Sequence, residues 1–188
     1  MKRIIKYILI LCMLLGDVIL LINNLKLLNT ETLAAIVTLP LVLSLPVGAR
    51  LIFKIKIDEN TEILFFVFIF LAQFLGSCVN LYDLFSWYDV FIHMLSGVLS
   101  SYIALLILKS FQKSKNNIIF DIIFIFGVVF IIAGVWELFE FIIDNVFSTD
   151  MQHVIDSGVS DTMSDMFSAY VGALFFNIFY YYKKNIIS

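Results

Sequence analysis

Acidic side chains and one histidine recur inside apolar stretches of this 188-residue chain, where ionised groups are costly in a membrane. They include three pairs whose members are three or four residues apart: Asp89 with His93, Glu137 with Glu140, and Asp161 with Asp165. On a helix, each spacing places both members of the pair on one face. Helical bundles build carboxylate metal sites from pairs of this kind on facing helices.

One imidazole among many carboxylates is an oxygen-rich ligand set, which suits a divalent ion such as Mg²⁺, Mn²⁺, Ca²⁺ or Zn²⁺. We predict that such an ion binds four of these side chains: His93, Glu137, Glu140 and Asp165. Asp89 or Asp161 would then accept a proton from a metal-bound water. A proton relay remains an alternative for the whole set, and N-capping of a helix remains one for Asp89 and Asp161.

The elements that position these residues are predicted to be transmembrane helices. The chain is 62% hydrophobic and 14% charged, which excludes an ordinary soluble globular protein, and no basic block suggests nucleic acid as a partner. Six apolar runs are each long enough, at about 30 Å as a helix, to span a bilayer: 4–22, 33–53, 63–82, 90–109, 118–146 and 162–182. We predict an all-α, polytopic membrane bundle of about six spans that forms a single domain over residues 1–188.

The basic residues predict the orientation of the spans. Across alternating loops, all but one of the 12 Lys and Arg residues fall on the same side, and Lys26 is the exception. Because basic residues concentrate on the cytoplasmic side, both termini are predicted to be cytoplasmic. In that orientation the three pairs lie at one level near the outer face, together with Asp17 and Asp144.

Several local features also lead to expectations. Gln73, Ser77 and Asn80 are spaced to form one polar stripe on the third helix. Pro40 and Pro46 should kink or break the second helix.

The remaining acids are expected near water. Glu62, with Asp58 and Glu59, is predicted to lie in a solvated loop, and Asp121 is predicted to be an interfacial charge. Asp144 is close enough to an aqueous loop to be merely solvated.

Three motifs in order resemble the YjdF-type family of small bacterial inner-membrane proteins: Tyr88-Asp89-x3-His93-x3-Gly97, Trp136-Glu137-x2-Glu140, and Asp161-Thr162-x2-Asp165-Met166 followed by Ala169 and Gly172-Ala173. The resemblance covers roughly residues 83–175. It implies a bacterial plasma membrane and a shared site at the three pairs described above. The chain departs from the expected pattern at Ser157-Gly158, where an acidic residue is expected. The resemblance implies no particular reaction.

The favoured hypothesis is a metal-dependent hydrolase or transferase that acts on a phosphate or acyl group of a lipid or lipid-linked substrate. One alternative is a cation or proton-coupled transporter or channel with the same acids as an outer vestibule. Another is a non-catalytic membrane subunit whose polar core specifies helix packing.

Overall fold

The computed structural model describes residues 2–24, 30–54, 56–111 and 117–186, and all of their regular structure is helical. The helices are α1 Lys2–Asn24, α2 Thr30–Phe53, α3 Glu59–Ile69, α4 Leu81–Leu84, α5 Tyr88–Phe111, α6 Ile118–Phe147, α7 Val154–Ser157 and α8 Ser160–Ile186. A π-helical segment, Phe70–Cys78, continues α3 directly. Lys26, Lys113 and Lys115, which the orientation argument uses, lie outside the described residues.

Among the described residues, five helical stretches are long and apolar enough to cross a membrane: Lys2–Ile22, Thr30–Ile52, Glu59–Cys78, Tyr88–Phe111 and Ile118–Phe147. Many large apolar side chains on these helices are exposed, which suits contact with lipid. The prediction of a helical membrane bundle is confirmed. The predicted sixth span corresponds to α8, whose 27 residues are also long enough but whose acids, serines and tyrosines make it less apolar than the five.

The chain divides into two compact units, Met1–Tyr88 and Asp89–Ser188. In the first unit, α1, α2 and the α3 helix with its π-helical continuation enclose an apolar core around Met13, Leu39 and Phe66. Gly16 allows the ring of Phe74 to lie directly against α1, because a side chain at Gly16 would overlap that ring.

Glu62 is buried in the first unit, so the prediction that it lies in a solvated loop is wrong. Its side chain is only 2% exposed and accepts hydrogen bonds from Lys6 Nζ at 2.6 Å and from Arg50. These two basic groups come from α1 and α2, and they lie 56 and 12 residues from Glu62 in the sequence. A buried carboxylate requires such compensation, and here it ties three helices together.

The predicted polar stripe of the third helix is also wrong at Asn80, because the π-helical segment changes the spacing of side chains around the helix axis. Asn80 lies beyond that segment in the left-handed region, with φ 66°, and donates to the Asp83 carboxylate. Gln73 instead donates to the Ala35 carbonyl of α2 at 3.0 Å.

The second helix is not broken at its prolines. α2 runs uninterrupted through Pro40 and Pro46. A proline interrupts the backbone hydrogen bonding of a helix, but the helix continues where the surrounding packing holds it.

In the second unit, α5 and α8 approach so closely that side chains larger than hydrogen do not fit at the contact. A Cβ atom at Gly97 would overlap the Ala169 carbonyl, and one at Gly172 would overlap the Met94 carbonyl. Small residues at a membrane-helix contact permit this backbone approach. α6 packs on α8 through Val129, among other residues.

Asp121, at the start of α6, is 1% exposed, and its partners lie within the protein; its position at the membrane interface stays a prediction. Its Oδ2 atom accepts hydrogen bonds from Tyr180 at 2.8 Å and from Lys184 at 2.7 Å. The last turns of α8 thus supply both donors, and the ion pair links the start of α6 to the end of α8.

Candidate metal site

The first turns of α5 place a carboxylate and an imidazole side by side. Asp89 lies in the first turn, and His93 follows one turn later, so that His93 Nε2 is 3.4 Å from Asp89 Oδ1. Asp89 follows Tyr88, the first helical residue, and is therefore a first-turn acid rather than an N-cap, where the helix dipole still favours negative charge.

A third side chain comes from α8. Asp165 is 3% exposed, and its Oδ2 lies 3.8 Å from His93 Nε2. One ligand atom each from Asp89, His93 and Asp165 lie within 4.8 Å of one another. The close contact between Gly97 and Ala169 helps to position this group. Gly97 lies one turn after His93 and Ala169 lies one turn after Asp165, so the contact holds these two side chains near each other.

Glu137 and Glu140 of α6 are buried, with 6% and 8% of their surfaces exposed. The Trp136 indole nitrogen donates to Glu140 Oε1 at 2.9 Å. Glu137 is close enough to interact electrostatically with His93 and Asp161, and Glu140 interacts with Glu137 and Asp89. Among the described residues, the compact three-residue group does not include either glutamate.

Asp161 lies in the first turn of α8, one residue after its start, and is partly exposed. It is therefore not an N-cap either. It interacts electrostatically with Asp89 and His93 across the helix contact. Its position at the margin of the group leaves its carboxylate more accessible than that of Asp165.

The segment between α6 and α8 also contributes to the site. Asp144 accepts hydrogen bonds from the Thr149 hydroxyl at 2.7 Å and from two backbone amides at 2.7 and 3.0 Å. This arrangement folds the segment back onto α6, and it shows that Asp144 is more than a solvated charge. The reversal requires Ser148 to adopt a left-handed conformation with φ 55°.

Gln152 is a residue that the sequence patterns miss. Its side-chain amide donates to the Glu137 backbone carbonyl at 3.1 Å and to the Thr162 hydroxyl at 3.3 Å. It therefore joins α6 to α8 beside the acidic group. No helical periodicity extends into a loop, so the only available signal is a large amide side chain between two acidic motifs.

Two carboxylate oxygens in this region are buried without a hydrogen-bond partner, Glu137 Oε2 and Asp165 Oδ1. The sequence contains no Lys or Arg between residues 116 and 182, and in the described part of the chain the basic groups that interact with these acids are His93 and His153. Burial of a carboxylate without a partner is costly, which favours a bound cation or shared protons.

The structure thus brings His93 and Asp165, two of the four predicted metal ligands, together with Asp89, a predicted proton acceptor. Glu137 and Glu140 lie buried beside this group on α6, and Asp161 lies at its margin. The metal-binding and catalytic roles of all six residues stay predictions.

The sequence model of a family described as predicted membrane protein (DUF2238) matches residues 5–185. The chain belongs to this family. The family match extends over all six predicted spans, whereas the motif resemblance covers only the last three. Searches of curated proteins and of solved structures find no match. The resemblance to YjdF-type proteins and a bacterial origin stay predictions.

Proposed function

We propose that this protein is a metal-dependent membrane hydrolase or transferase whose divalent ion binds Asp89, His93 and Asp165. The observation that supports this proposal is the approach of three ligand atoms, one from each residue, to within 4.8 Å. Two carboxylates and one imidazole leave coordination positions open for water and substrate, as a catalytic metal site requires. Mg²⁺, Mn²⁺, Ca²⁺ and Zn²⁺ are the candidate ions.

A bound divalent ion supplies an acidic, readily deprotonated water. Asp161 is the proposed proton acceptor, because it is partly exposed and interacts with Asp89 and His93. Glu137 and Glu140 are proposed to face the same divalent ion from α6. The water oxygen would attack a phosphorus or carbonyl carbon, and the bond to the leaving oxygen would break as that oxygen gains a proton.

The proposed substrate is a lipid or lipid-linked molecule that reaches the site from the bilayer. The support is the position of the acidic residues near the ends of long apolar helices, where a polar headgroup and an acyl chain meet their preferred surroundings. We further propose a bacterial plasma membrane, cytoplasmic termini, and a site on the extracytoplasmic side, as the distribution of Lys and Arg indicates.

Metal analysis of the full-length protein, purified in detergent and dialysed against each candidate ion, tests the first step. We expect tight binding that is lost in His93→Ala and in Asp165→Asn. His153→Ala is the matched control, because His153 is the only other histidine in the sequence, is exposed and lies outside the three-residue group. It interacts electrostatically with Asp89 but is not a proposed ligand, so its loss should leave ion binding intact. A folded wild-type protein that binds none of the ions would overturn the proposal.

The reaction is tested by release of phosphate and of fatty acid from mixed phospholipid vesicles, with and without a chelator. We expect release that the chelator abolishes and that Asp161→Asn reduces while leaving metal binding intact. An ion that binds without hydrolysis or transfer of either group would count against the enzyme and in favour of the second candidate.

The second candidate is a cation or proton-coupled transporter. Two further polar atoms on α8, the Tyr170 hydroxyl and Asn177 Oδ1, are buried without a hydrogen-bond partner, although helical periodicity places them on a different face of the helix from Asp165. Continuous transport requires polar groups along a path across the membrane. Flux into proteoliposomes containing an ion-sensitive dye tests it, and absence of flux under both proton and cation gradients would exclude it.

A further inference from the structure

We infer that the acidic group of the second unit binds two divalent cations, with Asp165 bridging them and Glu137 as a ligand of the second ion. This inference rests on the proposed function, because the first ion is the one held by Asp89, His93 and Asp165. It adds a dinuclear centre, and with it a preference for a phosphorylated substrate.

The two oxygens of Asp165 have different surroundings. Oδ2 lies 3.8 Å from the Nε2 atom of His93, another residue of the three-residue group, and we assign this oxygen to the first ion. Oδ1 is buried and has no hydrogen-bond partner. A carboxylate with one oxygen directed to a first ion and the other left free can bridge to a second ion, as in the carboxylate centres of helical bundles.

Glu137 supplies the second unpartnered oxygen. Its Oε2 is buried without a partner, and the residue is only 6% exposed. Glu137 and Asp165 are close enough to interact electrostatically, and both interact with Asp161. Glu137 Oε2 on α6 and Asp165 Oδ1 on α8 are therefore two buried oxygens without a hydrogen-bond partner that belong to the same group of interacting acids.

The charge of the cluster accommodates a second ion, although shared protons would relieve the same repulsion. Five carboxylates, those of Asp89, Glu137, Glu140, Asp161 and Asp165, interact with one another, and the sequence places no Lys or Arg between residues 116 and 182. A single divalent ion offsets two negative charges, and a second offsets two more. Crowded carboxylates without such compensation repel one another.

The small number of protein ligands available to the second ion indicates its chemistry. Glu137 lies outside the compact three-residue group, so the second ion would have one or two carboxylate ligands from the described residues. Mg²⁺ and Mn²⁺ bind in this way and fill the remaining positions with water and substrate phosphate oxygens. Two ions roughly 3.5–4 Å apart stabilise the attacking and leaving oxygens in phosphoryl transfer.

Equilibrium dialysis of the full-length protein against Mn²⁺, followed by metal analysis, tests the inference. We expect two Mn²⁺ per chain in the wild type, one in Glu137→Gln, and none held tightly in Asp165→Asn. Glu59→Gln is the matched control, because Glu59 is an exposed glutamate of the first unit that pairs with Arg3. The control should retain both ions.

The electron paramagnetic resonance spectrum of the Mn²⁺-loaded wild type is a second measurement, which does not depend on a variant that folds. Two ions at the expected separation should give a spin-coupled spectrum, and the uncoupled six-line spectrum would contradict the inference. One ion per chain in the wild type, or two in Glu137→Gln, would also overturn it and leave the proposed function standing. No bound ion at all would overturn both.

Discussion

The contact between Gly97 and Ala169 controls the distance between two proposed metal ligands, and Gly97→Ala tests this link. A Cβ atom at residue 97 would lie well inside 3.0 Å of the Ala169 backbone carbonyl. The obstacle is backbone rather than a side chain that can rotate, so α5 and α8 must separate. His93 and Asp165 each lie one turn from this contact and would separate with the helices.

The expected effect follows from the present spacing. His93 Nε2 and Asp165 Oδ2 are 3.8 Å apart. Two ligand atoms bound to one ion at about 2.1 Å cannot be more than about 4.2 Å apart. A helix separation on the order of 1 Å would therefore move the two ligand atoms too far apart to bind one ion. The same separation should cost about 1–3 kcal/mol in stability. We expect divalent-ion affinity to fall at least about tenfold, the lower end of what displaced supporting residues cost.

Titration with Mn²⁺ and thermal denaturation in the same detergent measure both effects. Gly134→Ala is the matched control, because nothing lies within 4 Å of a Cβ atom at that position in α6. The control should keep its ion affinity and unfold at the same or a slightly higher temperature, since alanine favours a helix over glycine by up to about 1 kcal/mol. Wild-type affinity and stability in Gly97→Ala would refute the reasoning.

Lys184→Met should lower the free energy of unfolding by about 3 kcal/mol, because it removes the Lys184 ammonium from the buried Asp121 carboxylate. Adding Asp121→Asn should restore part of the loss in thermal denaturation, and an unchanged melting temperature in Lys184→Met would contradict this. Asp58→Ala should cost about 1 kcal/mol, because Asp58 caps α3 by accepting from the amides of residues 60 and 61. The hydrogen bond from the Thr61 hydroxyl lowers the pKa of Asp58 in the folded protein below its ordinary value of 3.8. The stabilisation by this carboxylate is therefore complete above pH 3.8 and is lost as the pH falls through the lower pKa of the folded state. Hydrogen exchange of the Thr61 backbone amide, measured as a function of pH in the wild type and in Asp58→Ala, tests this. If the ratio of the two exchange rates does not change with pH, the prediction is wrong. Because the C-terminus is proposed to be cytoplasmic, a fluorescent protein fused there should fluoresce and alkaline phosphatase fused there should be inactive. Active phosphatase would contradict the proposed orientation.

The sequence by itself determines that this chain is a helical membrane protein and where most of its helices lie. In lipid every backbone polar group needs an internal partner, so each long apolar run must be a helix. The predicted run 90–109 becomes Tyr88–Phe111, and the run 118–146 becomes Ile118–Phe147. Helical periodicity also places Asp89 beside His93 correctly, because that relation lies within a single helix.

Only the tertiary structure decides which of these helices meet and which charges they bury. Asp165 reaches His93 because glycines let two backbones touch, and Glu62 is buried because basic residues of two other helices enclose it. The π-helical segment likewise moves Asn80 off its predicted face. The contacts of Asp165 and Glu62 depend on packing between different helices, which the periodicity of any single segment does not record. The π-helical segment is local, but its wider turn departs from the α-helical periodicity that the prediction assumes.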